Sequence, residues 1–143
     1  MRELFTDLVK HANAQLLGSE VLLCNFSGEE SDFVRFNHGR VRQPMTVLQA
    51  FIELTLIRGK TRSAITLTLS GQPASDQERV STAIRSLRDD LAMLPEDPYL
   101  LYSFEAGQTE RVSTGELPEP AQVIEDIVGA AHGTDLVGIF ASG

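Results

Sequence analysis

Several kinds of chemistry are scarce or missing in this chain of 143 residues. It has one cysteine, Cys24, so no internal disulfide can form, and nothing points to an oxidising compartment. Cys24 lies in the apolar run VLLCNF and reads as a small buried hydrophobe rather than a reactive thiol. The three histidines, His11, His38 and His132, are too far apart to share a helix turn. None has a cysteine or histidine at metal-ligand spacing. No His-Glu pair occurs, the scattered glycines match neither phosphate-binding loop pattern, and there is no Gly-x-Ser-x-Gly elbow. Long apolar runs are also lacking: none approaches the roughly 18 residues of a membrane span. Glu3, Asp7 and Lys10 interrupt any signal-peptide core at the start. The expectation is a cytoplasmic, non-membrane chain.

Positive charge is in short supply: 12 basic residues stand against 20 acidic ones, a net charge of −8. That balance argues against wholesale nucleic-acid binding. The shortage is uneven. Arg35, Arg40, Arg42, Arg58, Lys60 and Arg62 fall between Phe33 and Ser70, where Glu53 is the sole acid. The adjacent acidic pairs (Glu29-Glu30, Asp89-Asp90, Glu96-Asp97, Glu125-Asp126) fall in turns or on helix faces. Neighbours there do not converge on one point, so they read as solvated surface.

What is present is the patterning of a folded domain, with 42% hydrophobic and 22% charged residues. A single domain over 1–143 is expected. Leu4, Phe5, Leu8, Val9, Ala12 and Leu16 recur at helical spacing and predict a helix over 2–17, ended by Gly18. His11 falls on its exposed side. Glu20–Phe26 reads as a strand and Ser27-Gly28-Glu29-Glu30 as a turn. Asp32–Asn37 and Arg40–Gln43 form a hairpin through Asn37-His38-Gly39, because Asn and Gly tolerate the positive φ of short loops. Pro44 ends that pairing or forces an edge.

Thr46–Ile57 and Thr61–Ser70 read as longer strands joined at Arg58-Gly59-Lys60. In the second, Ala64, Thr66, Thr68 and Ser70 alternate with Ile65, Leu67 and Leu69, one wet face and one buried. Ser75-Asp-Gln-Glu78 has capping-box spacing and opens a helix with the stripe Val80, Ala83, Ile84, Leu87 and Leu91, stopped by Pro95. Residues 94–120 read mostly as loop, with Tyr99–Phe104 a candidate short strand. Pro118 and Pro120 suit the start of a third helix, whose stripe is Ile124, Ile127, Val128 and Ala131 and whose stop is Gly133. His132 falls in its last turn. Leu136–Ala141 closes the chain as an apolar strand. The order implies an α+β fold: an antiparallel or mixed sheet of about five to six strands, with helices mainly on one face. The final strand, followed by a turn signal, also fits a chain that continues.

The candidate contact residues are Arg35, Asn37, Arg40, Arg42 and Arg58. Arg40 and Arg42, two apart on a strand, share a face. A solvated edge, a docking or peptide-binding edge and a nucleic-acid surface are the readings open to them. Arginine suits the first two, blunting an edge and pairing with carboxylates. The third lacks a stacking platform, since Phe33 and Phe36 are the only nearby aromatics and at least one belongs in the core.

Taken in order, SDFVRFNHGRVRQ, the hairpin turning at Arg58-Gly59-Lys60, and the apolar helix running into LAMLPEDPYL resemble the N-terminal domain of the TldD/PmbA family. The shared elements are Asp32 opening a strand, Arg40-Val41-Arg42 after a turn, and Leu94, Pro95, Asp97 and Pro98 closing the helix. The likeness covers roughly residues 1–143. It implies a cytoplasmic peptide-processing protein, of a family also described as modulators of DNA gyrase. Active members are zinc metallopeptidases whose His-Glu-x-x-x-His helix lies in the C-terminal half, and some members lack that motif. No catalytic or zinc residue transfers to this chain, which holds no cofactor site of its own. The implied partners are a C-terminal domain, a peptide substrate and other family subunits in a homo- or hetero-oligomer. The implied role is a non-catalytic wall of a peptide-binding cleft. The alternatives are a stand-alone interaction module and, behind it, a nucleic-acid-binding or gyrase-modulating protein.

Overall fold

The computed structural model describes residues 1–105 and 107–143. The element order is α1 (Arg2–Asn13), β1 (Val21–Asn37), β2 (Arg40–Arg58), β3 (Thr61–Thr68), α2 (Pro73–Leu91), α3 (Pro120–Ala130) and β4 (Gly138–Ser142). The fold is α+β, with one antiparallel sheet in the order β3-β2-β1-β4.

The sheet has four strands rather than five or six, because two expected breaks do not occur. Ser27-Gly28-Glu29-Glu30 is not a turn: β1 runs straight through it. Gly28 is there for closeness instead, since a Cβ would meet Met1 Sδ at 2.7 Å and the Phe26 ring at 2.9 Å. Pro44 likewise interrupts nothing, and Arg40–Arg58 is continuous. β3 pairs only with Phe51–Arg58, which leaves the length of β2 around Pro44 with a neighbour on one side. A proline is tolerated on such an edge. Tyr99–Phe104 is not a strand.

The chain forms two compact units. The first comprises Met1–Gly28 and Gln49–Glu105. Its core joins Leu8 and Ala12 of α1, Ile52, Leu54 and Leu56 of β2, and Val80, Ala83, Ile84, Leu87 and Leu91 of α2. The period of two in β2 and the helical period in α2 bring these side chains together, so α1 and α2 share one face of the sheet. Cys24 is half-buried against this cluster, as its apolar setting suggests. β2 and β3 turn through the two-residue loop Gly59-Lys60, with Arg58 opposite Thr61 and Gly59 at φ 61°.

α1 is shorter than its apolar stripe suggests. After Asn13 the chain tightens into i→i−3 bonds, from Gln15 N–H to Ala12 and from Leu16 N–H to Asn13, before Gly18 at φ 57°. The backbone freed there is used elsewhere, as described below. α2 begins at Pro73 after Gln72, not at Ser75, and no capping box forms. Asp76 is the residue that matters. Its fully buried carboxylate accepts from Ser70 N–H at 2.9 Å, Ser70 Oγ at 2.9 Å and Gly71 N–H at 3.0 Å, tying the β3–α2 loop to the helix. α2 ends at Leu91, ahead of Pro95. Beyond it, Lys60 receives Asp97 N–H on its carbonyl and donates from Nζ to the carbonyl of Leu100, which is buried.

The second unit comprises Glu29–Leu48 and 107–143. β4 pairs antiparallel with Asp32–Phe36, placing Val34 opposite Phe140 and Arg35 opposite Ile139. Val34 and Phe36 are its buried side chains. α3 starts with Pro120 in its first turn and half-buries Val123, Ile124, Ile127 and Val128. It ends at Ala130, so His132 lies in the turn that follows rather than in the helix. Among the described residues no helix is long and apolar enough to cross a membrane.

Candidate functional site

In the second unit, β1 and β2 are joined by the two-residue loop His38-Gly39, with φ of 53° and 66°. Positive φ at both positions is what a type I′ turn requires, and its twist matches that of the flanking strands. The α3–β4 loop holds this tip. Gly39 N–H donates to Leu136 O at 3.1 Å, and His38 Nδ1 lies 2.7 Å from Asp135 Oδ1. The carboxylate can only accept there, so the ring N–H donates. A Cβ on Gly39 would stand 3.3 Å from the Thr134 carbonyl oxygen. His38, which has no metal-ligand partner in the sequence, is thus the clasp of a hairpin.

This locked tip carries four of the five candidate residues. Arg35 is exposed on β1, Asn37 is half-buried at the strand end, and Arg40 and Arg42 are exposed on β2. No ion pair involving Arg35, Arg40 or Arg42 is found among the described residues. Phe36 is in the core at 2% exposure and Phe33 is half-buried, so no open aromatic platform accompanies the arginines.

Arg58 is different. It belongs to the first unit and donates from Nη2 to Glu20 Oε1 at 2.6 Å. Glu20 is the centre of a network that sequence reading missed. Arg88 donates to it twice, Nε to Oε1 and Nη2 to Oε2, each at 2.8 Å. Leu17 N–H reaches Oε2 at 2.9 Å, and Arg88 Nη2 also takes the Gln15 carbonyl at 3.0 Å. The Glu20 side chain is wholly buried, yet all its lone-pair directions are used. The two-point Arg88 bond, helped by Arg58 and the Leu17 amide, outweighs burial and lowers its pKa from 4.5 to about 2. Arg88 is raised further above its already basic range, chiefly by the same hydrogen bond. The network pins the end of α1 to β2 and α2. Its partners stand 38 and 68 residues away in sequence, so no local motif announces them.

His11 is not on an open face. It is half-buried, with Nε2 2.8 Å from Ser81 Oγ, because α1 packs on α2. Burial raises the Cys24 thiol above its usual range. Among the described residues no three His, Cys, Asp or Glu side chains gather as metal ligands. No protein-family model matches this chain, and no curated protein matches it.

Proposed function

We propose that this chain is the non-catalytic N-terminal domain of a TldD/PmbA-like peptide-processing protein, forming one wall of a peptide-holding cleft and part of a subunit interface. The observation that carries this reading is the cluster of exposed arginines, Arg35, Arg40 and Arg42, on a hairpin whose tip is clasped in place, in a chain of net charge −8. A guanidinium on a fixed strand meets a carboxylate with two parallel N–H donors and loses little freedom in doing so. An acidic peptide side chain or a free C-terminal carboxylate is the group that fits. Arg58, spent on Glu20, is left out of this role. Zinc and the bond-breaking residues would come from a C-terminal domain, and subunits of the same family would complete the cleft.

The test is a titration of this chain with short peptides carrying a free or an amidated C-terminus, with and without acidic residues. Reversing Arg35, Arg40 and Arg42 to Glu lowers the affinity for acidic and free-carboxylate peptides by at least about tenfold. Unchanged affinity in a folded triple variant removes the hairpin from peptide binding. Duplex and single-stranded DNA serve as controls and do not bind near physiological salt. The family reading has its own test in the reading frame beyond Gly143: a His-Glu-x-x-x-His helix or its degenerate counterpart is expected there, and a stop codon sinks it.

A second reading, a stand-alone interaction module, is favoured by the segment from Tyr99 to Phe104. Tyr99, Leu101 and Phe104 are 87%, 88% and 81% exposed. Three exposed apolar side chains within six residues suit a contact surface. The same reading frame separates the two.

A further inference from the structure

β3 is the end strand of the sheet, and its hydrogen-bonding direction is fixed by its neighbour. Leu69 N–H donates to Ala50 O at 2.7 Å, continuing a register in which Phe51 faces Thr68. In an antiparallel ladder, alternate residues turn their N–H and C=O to the same neighbour. The odd-numbered residues of β3 therefore face β2. The N–H and C=O groups of Arg62, Ala64, Thr66 and Thr68 point to the open edge. Arg79 confirms this parity, since its Nη1 donates to the outward Thr68 carbonyl.

Beside that edge lies a groove of about 400 Å³ between β3 and α2. Its floor is apolar, built by Ile65 and Leu67 from β3 and Ala83 from α2, with Thr82, Glu78 and Arg79 along the helix side. The occupant has to satisfy two conditions at once. It must present N–H and C=O groups at a two-residue repeat, and it must lay apolar side chains at that repeat beside Ile65 and Leu67. Only an extended polypeptide does both. Arg62 at one end of this edge and Arg79 at the other, where it holds the Thr68 carbonyl, favour an occupant with acidic flanks.

We infer that β3 and α2 form a peptide site: an extended segment with apolar residues at alternate positions and acidic residues at its ends adds to the sheet along Arg62–Thr66. This site lies in the first unit and shares no residue with the hairpin arginines, so either can stand without the other.

The probe is the acetylated, amidated heptapeptide Asp-Val-Thr-Leu-Thr-Val-Asp, fluorescein-labelled and followed by anisotropy. Two backbone N-methylated forms accompany it, one methylated at Val, Leu and Val, the other at the two Thr. Strand addition needs the amides of one parity only. One form is expected to bind as the parent does and the other at least about tenfold more weakly. Thr66→Pro removes an outward N–H without touching the β2–β3 ladder, and weakens binding by about tenfold while the unfolding midpoint holds. Should Thr66→Pro not fold, the wild-type amide resonances carry the test: those of Ala64 and Thr66 shift on titration before any others in the sheet. The titration is repeated on the chain with Arg35, Arg40 and Arg42 reversed to Glu, where the hairpin no longer competes for an acidic probe, and the difference between the two methylated forms persists there. Absence of binding up to about 1 mM overturns the site, as does equal binding by both methylated forms. A concentration-dependent dimer, lost in Thr66→Pro and indifferent to the peptide, also overturns it by assigning the edge to a second copy.

Discussion

Arg88 grips Glu20 at two points, Nε on Oε1 and Nη2 on Oε2, both at 2.8 Å, with the carboxylate fully buried. The pair joins residues 68 apart in sequence. Removing Glu20 leaves two guanidinium groups without their shared carboxylate, and removing Arg88 takes two of the four hydrogen bonds from a buried carboxylate. Glu20→Ala is expected to cost about 3–5 kcal/mol of folding stability, and Arg88→Ala a similar amount. Arg58→Ala costs less, since its side chain is 44% exposed and part of its interaction is screened. Urea unfolding of the three variants gives the ranking. Equal midpoints for Arg58→Ala and Arg88→Ala contradict it.

The same carboxylate sets an acid limit. Its pKa is about 2 in the folded chain against 4.5 ordinarily, lowered first by the Arg88 hydrogen bond. A depressed carboxylate pKa means the unfolded state binds the proton more readily. The stabilisation from Glu20 is therefore complete above its unfolded value and drains away as pH falls from about 4.5 toward 2. Unfolding midpoints measured over that window fall for the native chain. The Glu20→Gln variant starts lower and falls less. Parallel curves for the two rule Glu20 out as the titrating group.

Asp76 holds the β3–α2 loop through three hydrogen bonds, two of them from backbone amides. Asp76→Ala leaves the Ser70 and Gly71 N–H groups without their acceptor, at about 1–3 kcal/mol for each that stays dry. Amide hydrogen exchange at Ser70 and Gly71 accelerates in the variant, by more than the global loss of stability explains. Unchanged exchange there shows that another acceptor takes over.

Cys24 packs against the main cluster, and burial keeps its thiol protonated. Labelling with a disulfide reagent at neutral pH is expected to be slow, and to accelerate steeply in urea as the first unit opens. Rapid labelling of the native chain places the thiol at the surface.

The sequence made the helices legible where their apolar period was long. Val80, Ala83, Ile84, Leu87 and Leu91 are all buried, and one stripe sufficed to find them. β3 was legible for the same reason at a period of two. The strands β1 and β2 were harder, because Gly28 and Pro44 carry the composition of turns while sitting in extended chain. Gly28 answers to the Phe26 ring and Pro44 to an open edge, and both causes exist only in three dimensions. The basic hairpin was found from its charge, and its two-residue loop from Asn37-His38-Gly39. That Arg58 belongs to Glu20, and His38 to Asp135, depended on contacts 38 and 97 residues apart. Side-chain pairs at such separations leave no periodicity to read.

Pro44 has one more effect, on what β2 does at high concentration. The stretch of β2 not covered by β3 would otherwise offer a row of backbone groups to any passing chain. A proline ring crowds an incoming strand, and the cations of Arg40 and Arg42 repel a second copy of the same stretch. The residues that look like an interrupted strand in one dimension are of the kind that blunts an edge strand against pairing with another chain.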